Sequence, residues 1–486
     1  MGEPKKKIGL MSVIATSTGL IVATSCLLTL GQGAGAIGAT FIFSMMIACI
    51  LNMMAFASLC ELNSLMPNLR GGMGQYTYAA LGALPAVICI FGGYVTTNCF
   101  TSSTEVSMCG IVFEEFFSWG VPPFVVGIII ILFLGIVNLL GIDIFARVQN
   151  VVAWTLLGSL LVLGVIGIMG KGMGVQVEQP LVEAGDIGSV LAVVPMAFWL
   201  FIGMDQVIPM AGEIKNPKKN LPLGIFLGLG IVFVLMVVMV FGFHNYVPWA
   251  ELGSADSPHI IYGVQILGQG GIVWMGIVAI LAAISTVNVV IGAISRIMEG
   301  MAQTGLVPAI FAKRNSKNMP FAGIILMMSG LILVLCIFQA ADAEGLIILI
   351  LTGCTFWMIS FVISHVNVLV LRKRMPDAPR SFKLPFGPVI PVVGIIGMIW
   401  MIVNIDPDPD FRMIIWRTVI IAMILYVAYA ILWIKLKMKR PLFHLMPVAK
   451  IMQIQKEFED KNDAEWKAKL AARAEAKPGG ESAGKG

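Results

Sequence analysis

Charge is scarce in this sequence. Only 12% of its 486 residues are Asp, Glu, Lys or Arg, while 58% are hydrophobic and mean hydropathy is +0.92. A soluble globular domain carries roughly a quarter charged residues, so this balance excludes a water-soluble fold and places the chain in a bilayer. Histidine is scarce too: His244, His259, His365 and His444 are the only four, all near loops or the ends of apolar runs. No nucleophile, base and metal-ligand set converges within the membrane, which argues against an enzyme. The eight cysteines are scattered, mostly inside apolar runs, without the paired spacing of a metal site. They read as small apolar packing residues. No GxxxxGK[ST] loop is present to bind and hydrolyse ATP, and no soluble catalytic domain is evident. No cofactor and no resident metal is expected.

What is present is a series of about twelve apolar segments, each near the roughly 20 residues a helix needs to cross a bilayer. They are Ile8 to Leu30, Ile37 to Leu59, Leu84 to Val106, Phe124 to Leu140, Val151 to Met169, Val190 to Met210 and Leu221 to Phe243. Then come Ile272 to Ile294, Ala322 to Phe338, Leu346 to Leu371, Val389 to Ile405 and Met413 to Ile434. An all-α polytopic membrane protein follows.

Between the first two segments stands GAGAIG, residues 33–38, which fits the GxGxxG spacing of dinucleotide-binding loops. That fingerprint needs a strand before it and an acidic residue about 20 positions on. Here the flanks are membrane-spanning runs without strand-like alternation, and Glu61 ends the second run. A glycine-rich turn joining two membrane helices, or packing of the second helix, is the expected role.

Lys and Arg near span ends are retained on the cytoplasmic side. With both termini inside, one set of loops collects Arg70, Arg147, Lys215, Lys313, Arg314, Arg372 to Arg374, Arg380 and Lys435 to Arg440. The other set is acidic, holding Glu114, Glu178, Glu183, Asp186, Glu251, Asp342 and Asp406 among others. An even number of spans puts every loop on its expected side of the cell membrane. The net charge of +5 then follows from topology and anionic lipid, and no nucleic-acid partner is implied. The basic start reads as the first span rather than a cleaved signal, and Lys6 breaks the myristoylation pattern. After the last span, residues from about Val448 to Ala476 are charged and rich in helix formers, and GGESAGKG follows as a flexible end.

The stretch FWLFIGMDQVIPMAGEIKNPKKNLPLGI, Phe198 to Ile225, resembles the sixth helix and following loop of the amino acid–polyamine–organocation (APC) permeases, with their E-x-K-N-P-x-x-N-x-P signature. ELNSLMPNLRGGMGQYTYAALG, SRIMEGMAQTGLVPAIFAK and LRKRMPDAPRSFKLPFGPVIP resemble the family's second-helix end, eighth-helix end and tenth-helix loop, in order. The resemblance implies a LeuT-like fold. Residues 1–7 would be a cytoplasmic N-terminus, 8–440 the transporter domain, and 441–486 a cytoplasmic tail. Inverted repeats would cover about 8–170 and 188–371, with added helices at about 389–436. It also implies that the first and sixth helices unwind near the midplane, where half-helix N-termini face a carboxylate and free carbonyls an ammonium.

In the sixth span the expected break is Phe201-Ile202-Gly203, with Phe198 and Trp199 as candidate covers for a ligand. In the first span the family's Gly-Ser-Gly is replaced by Ala23-Thr24-Ser25 after Gly19-Leu20-Ile21-Val22. Small residues and hydroxyls remain, but two Cβ atoms replace two hydrogens and narrow the cavity. Ile21, Ala23, Thr24 and Ser25 are substrate-site candidates on this side. In the third span, Asn98, Thr101, Ser102 and Glu105 recur at helical spacing and share a face. The resemblance turns that face toward the substrate. Glu105 would attract a cationic group or carry a proton, or else sit in wetter surroundings at the outer boundary. Asp205, at the acidic position of the signature, would act as a gate or proton carrier, or bond free amides of the unwound turn.

Ser285, Thr286 and Asn288 would offer oxygens to sodium or join helices, and the fifth span has no lysine to replace a sodium site. The expected function is a secondary transporter of an amino acid or related small amine, proton-coupled or exchanging one solute for another. The alternatives are a carrier of polyamines or other carboxylate-free amines, and a nutrient sensor built on a permease fold. Oligomeric state is not legible.

Overall fold

The computed structural model describes residues 9–475 except 68, 119, 142–144 and 341. Residues 1–7, read as a cytoplasmic N-terminus, and the flexible end lie outside the described residues. Among those described the chain is helical, with one isolated β-bridge between Gly38 and Val182.

The first half runs α1 (Leu10–Ile21), α2 (Thr24–Ile37), α3 (Phe41–Leu65), α4 (Gly72–Ala80) and α5 (Ala83–Ile90). A π-helical turn, Phe91–Thr96, carries α5 into α6 (Thr97–Phe117), followed by α7 (Pro123–Leu140) and α8 (Phe145–Ile168). The second half runs α9 (Ile187–Ala192), α10 (Val194–Phe198), two 3-10 turns at Trp199–Phe201 and Met204–Glu213, and α11 (Pro217–Tyr246). Then come α12 (Trp249–Ser254), α13 (Pro258–Leu267), α14 (Gln269–Gln303), α15 (Phe321–Phe338) and α16 (Ala343–Arg374). Outside these lie α17 (Val389–Val403), α18 (Pro409–Leu432) and α19 (Val448–Glu475).

Among the described residues, eight helices are long and apolar enough to cross a membrane, and the bent pair α1 and α2 makes a ninth. Three shorter apolar stretches, Ala153–Ile168, Val194–Ile208 and Val389–Val403, fall within the fifth, sixth and eleventh segments read from the sequence.

The glycines of GAGAIG correct the expectation of a turn. Residues 33–37 form the last turns of α2, and only Gly38 leaves it, with φ at 69°. Gly31 and Gly35 lie one turn apart on a helix face. A Cβ at Gly31 would come within 2.3 Å of the Pro258 Cβ, and one at Gly35 within 2.2 Å of the Gly253 amide nitrogen. The glycines let α12 and α13 pack directly on the α2 backbone.

The first two spans shift accordingly, α2 ending at Ile37 and α3 running on to Leu65. Hydropathy stops short of that end because Glu61 follows. Yet Glu61 is only 2% exposed, since Arg372 reaches it at 2.5 Å and Arg380 at 3.4 Å. It also accepts the Leu384 amide at 2.8 Å. A carboxylate so paired continues a buried helix.

A second knot gathers at the same end. Glu299 of α14, fully buried, pairs with Arg70 at 3.2 Å and Arg314 at 2.5 Å. Arg70 also holds Glu459 of α19 at 2.9 Å, which sets the charged tail helix along the protein. The chain after α18 pairs with the start of α5 as well, the Ala83 and Leu84 amides donating to the His444 and Leu442 carbonyls at 3.0 and 2.9 Å. At the opposite end, the loop before α9 crosses α2 and α11. The Ala39 amide donates to the Leu181 carbonyl at 2.9 Å, and that of Val177 to the Asn245 carbonyl at 2.9 Å.

Candidate functional site

Two interruptions define the site. Between α1 and α2, Val22 (ψ 80°) and Ala23 (ψ 172°) leave the helix, and the axes on either side differ by 64°. Thr24 and Ser25 are thus the first residues of α2 rather than part of the break. In the sixth span Ile202 is extended and Gly203 takes φ 114°, a conformation glycine adopts without steric cost. Phe201 closes the preceding 3-10 turn.

The interruptions meet at a small cavity that α6, α14 and α16 complete. Ile21 and Ala23 line it from the first span, and Trp199, Ile202 and Gly203 from the sixth. Asn98, Thr101, Ser102 and Glu105 line it from α6, as their shared helical face requires. Its volume is about 20 Å³, room for about one water molecule.

Glu105 does not lie in wet surroundings at a boundary; it is 2% exposed. One carboxylate oxygen accepts the Thr24 amide at 3.2 Å. The other accepts the Ser25 amide at 3.3 Å and also the Ser25 hydroxyl. The first amides of a helix have no intrahelical partner and carry its positive end. A side chain from another span therefore caps α2. Ser25 Oγ in turn accepts the Trp199 indole N–H at 3.0 Å, and Thr24 Oγ1 donates to the Ala279 carbonyl of α14 at 3.0 Å. Thr24 and Ser25 contribute through these bonds and do not line the cavity.

Three other candidates stand outside the lining. Phe198 packs edge-on to Phe361 with ring centroids 6.3 Å apart, and Phe201 packs on Phe233 at 6.2 Å. Both rings belong to the core, because their side of the helix faces neighbouring spans. Asp205, 1% exposed, follows Gly203 into the 3-10 turn and turns toward α16. Its Oδ2 accepts the Trp357 indole N–H at 3.3 Å, and its Oδ1 is buried without a hydrogen-bond partner.

The sequence reading missed three lining residues, Gln206, Val290 and Trp357, and Thr286, read there as an oxygen donor to sodium or a helix-joining residue, also lines the cavity. Gln206 follows Asp205, and its amide N–H donates to Asn98 Oδ1 at 3.2 Å while its Oε1 is buried without a partner. Thr286 and Val290 are one turn apart on α14, and Thr286 Oγ1 is likewise buried and unpartnered. Trp357 sits 6.4 Å from Trp199 between ring centroids. No local signal separates it from ordinary core aromatics. Asn288 accepts from Asn138 at 2.7 Å, so it joins α7 to α14. His365 and Asn367 are packed, bonding Ser58 at 2.8 Å and Thr77 at 2.9 Å. Among the described residues no group of His, Cys, Asp or Glu is arranged to hold a metal.

Structures of a manganese transporter from Eremococcus coleocola share the fold, with TM-scores of 0.54 and 0.55, 13% identity, and coverage of 88% of this chain and 94% of theirs. The architecture is the LeuT-like one. A branched-chain amino acid permease, BcaP of Bacillus subtilis, is 28% identical over 88% of this chain and 93% of its own. A methylthioribose transporter of the same organism is 25% identical over 85% and 89%. These relatives carry solutes across membranes and are not enzymes. A family model described as amino acid permease matches residues 8–431, so this multi-span membrane protein belongs to the amino acid permease family of the APC superfamily.

Proposed function

We propose that the protein is a secondary active transporter that moves an amino acid or closely related small amine across the cell membrane by alternating access, coupled to protons or to a counter-substrate. The observation that carries the reading is the meeting of two interrupted helices at one buried polar cavity. Irregular backbone is stable at membrane depth only where it lines a cavity or is covered by protein. In the LeuT-like architecture that is where substrate sits, with the repeats rocking about it. The small cavity fits an occluded or resting state that must open to admit a solute. The ion-paired knots of Glu61 and Glu299 tie α3 to α16 and α14 to its neighbouring loops at one end. The basic loops at that end support a cytoplasmic placement for it and for both termini.

The test is uptake of labelled solutes into vesicles containing the purified protein, with and without an imposed proton gradient. Saturable flux that is lost in Gly203→Pro supports the reading. Binding of a solute without flux in either direction would instead indicate a sensor on a permease scaffold.

A further inference from the structure

The N-terminus of a half-helix is the best seat for an anion in this architecture, because free amides and the positive dipole end converge there. In this chain the seat is filled from within. Glu105 takes the Thr24 and Ser25 amides at 3.2 and 3.3 Å together with the Ser25 hydroxyl. A ligand carboxylate entering the cavity would have to displace Glu105 or share one helix end with it, and two desolvated carboxylates repel.

The remaining inventory favours the opposite sign. Glu105 is the one charged side chain in the lining, which has no lysine, arginine or histidine. Gln206 Oε1 and Thr286 Oγ1 are buried without partners, and the former can only accept a hydrogen bond. The indole N–H groups of Trp199 and Trp357 are spent on Ser25 and Asp205. What these two rings offer a ligand is π surface, which attracts cations.

We propose that Glu105 is a built-in stand-in for the substrate carboxylate, so that this site takes primary amines lacking a carboxylate in preference to the parent amino acids. The proposal rests on the transporter reading for the location of the site. In it an ammonium group meets the Gln206 and Thr286 oxygens and the two indoles, with Glu105 balancing its charge across the cavity. The carboxylate keeps its seat throughout.

The experiment uses the full-length protein in detergent and measures melting-temperature shifts. The ligands are leucine, phenylalanine, lysine, ornithine and arginine, paired with isoamylamine, phenethylamine, cadaverine, putrescine and agmatine. At least one amine is expected to stabilise at a concentration about tenfold or more below that of its parent amino acid. In Glu105→Gln that preference should shrink about tenfold or more. Equal or tighter binding of every parent amino acid overturns the proposal, as does an unchanged preference in Glu105→Gln or no stabilisation by any amine. If that variant does not fold, the wild-type ratio decides, and Ser25→Ala tests the same seat by a smaller change. Vesicle flux separates the two ideas. Amine binding without flux rejects the transporter and keeps the amine site, whereas flux of amino acids with inert amines does the reverse.

Discussion

The Gly35 Cα faces the backbone of Gly253 so closely that a Cβ there would lie 2.2 Å from the Gly253 nitrogen and 2.7 Å from the Trp249 carbonyl oxygen. Neither atom belongs to a side chain that can rotate away. Gly35→Ala should therefore force α2 and α12 apart, at a cost of about 2 kcal/mol. Gly230→Ala in α11, where a Cβ would meet nothing within 4 Å, is the matched control. A melting-temperature drop confined to the Gly35 variant is the expected result. Equal behaviour of the two would disprove the close contact.

Glu299 has no exposed side-chain surface and two arginine partners, Arg70 and Arg314. Removing one member of a buried pair leaves the other charge uncompensated, typically costing about 3–5 kcal/mol. Arg314 is only 17% exposed, so Glu299→Gln should lower stability by an amount near the bottom of that range. Fluorescence-detected gel filtration after heating reports it. A variant as heat-resistant as the wild type would sink the idea.

Arg70 and Glu459 are much more accessible, at 35% and 40% exposed. Exposed pairs contribute roughly 0–1 kcal/mol. Glu459→Ala should leave the melting temperature within about a degree or two while speeding amide exchange along Val448–Glu475. Protection of α19 unchanged by the substitution would mean that its apolar contacts, Ile451 among them, hold it without the ion pair.

Asp406 lies outside the membrane-spanning helices, 5% exposed, where burial pushes its carboxyl above the ordinary carboxylate range. The folded protein then keeps this proton at pH values where the unfolded chain has released it. Stability from this group accordingly falls as pH rises from about 4, the unfolded value, through the raised folded value, and is level above it. Asp406→Asn retains an oxygen to accept the Asp408 amide, now at 2.8 Å, and removes the titration. The variant should melt higher than the wild type at neutral pH, with the gap closing toward pH 4. A gap that widens on acidification contradicts the sign.

Much of this protein is legible in the order of its residues. The scarcity of charge sets the solvent, and runs of about twenty apolar residues mark most spans, because every backbone amide in lipid must be bonded within its own helix. Gly203 announces the sixth-span break, since few other residues tolerate φ 114°. The shared face of Asn98, Thr101, Ser102 and Glu105 follows from helical periodicity alone.

What the residue order cannot carry is which distant groups neutralise one another. Glu61 reads as a helix end until Arg372, 311 positions later, covers it. The glycines of GAGAIG read as a turn until the α12 backbone at Gly253 needs the room beside Gly35. Asp205 reads as a gate or proton carrier beside the break, yet the 3-10 turn after Gly203 turns it toward Trp357, and it is Gln206 that reaches the lining. Above all, the sequence placed hydroxyls at the start of α2 and an acid in the third span, and only the packed bundle brought them together. Hydrogen bonds and charge pairing act over about 3 Å through space, and tertiary packing alone decides which residues come that near.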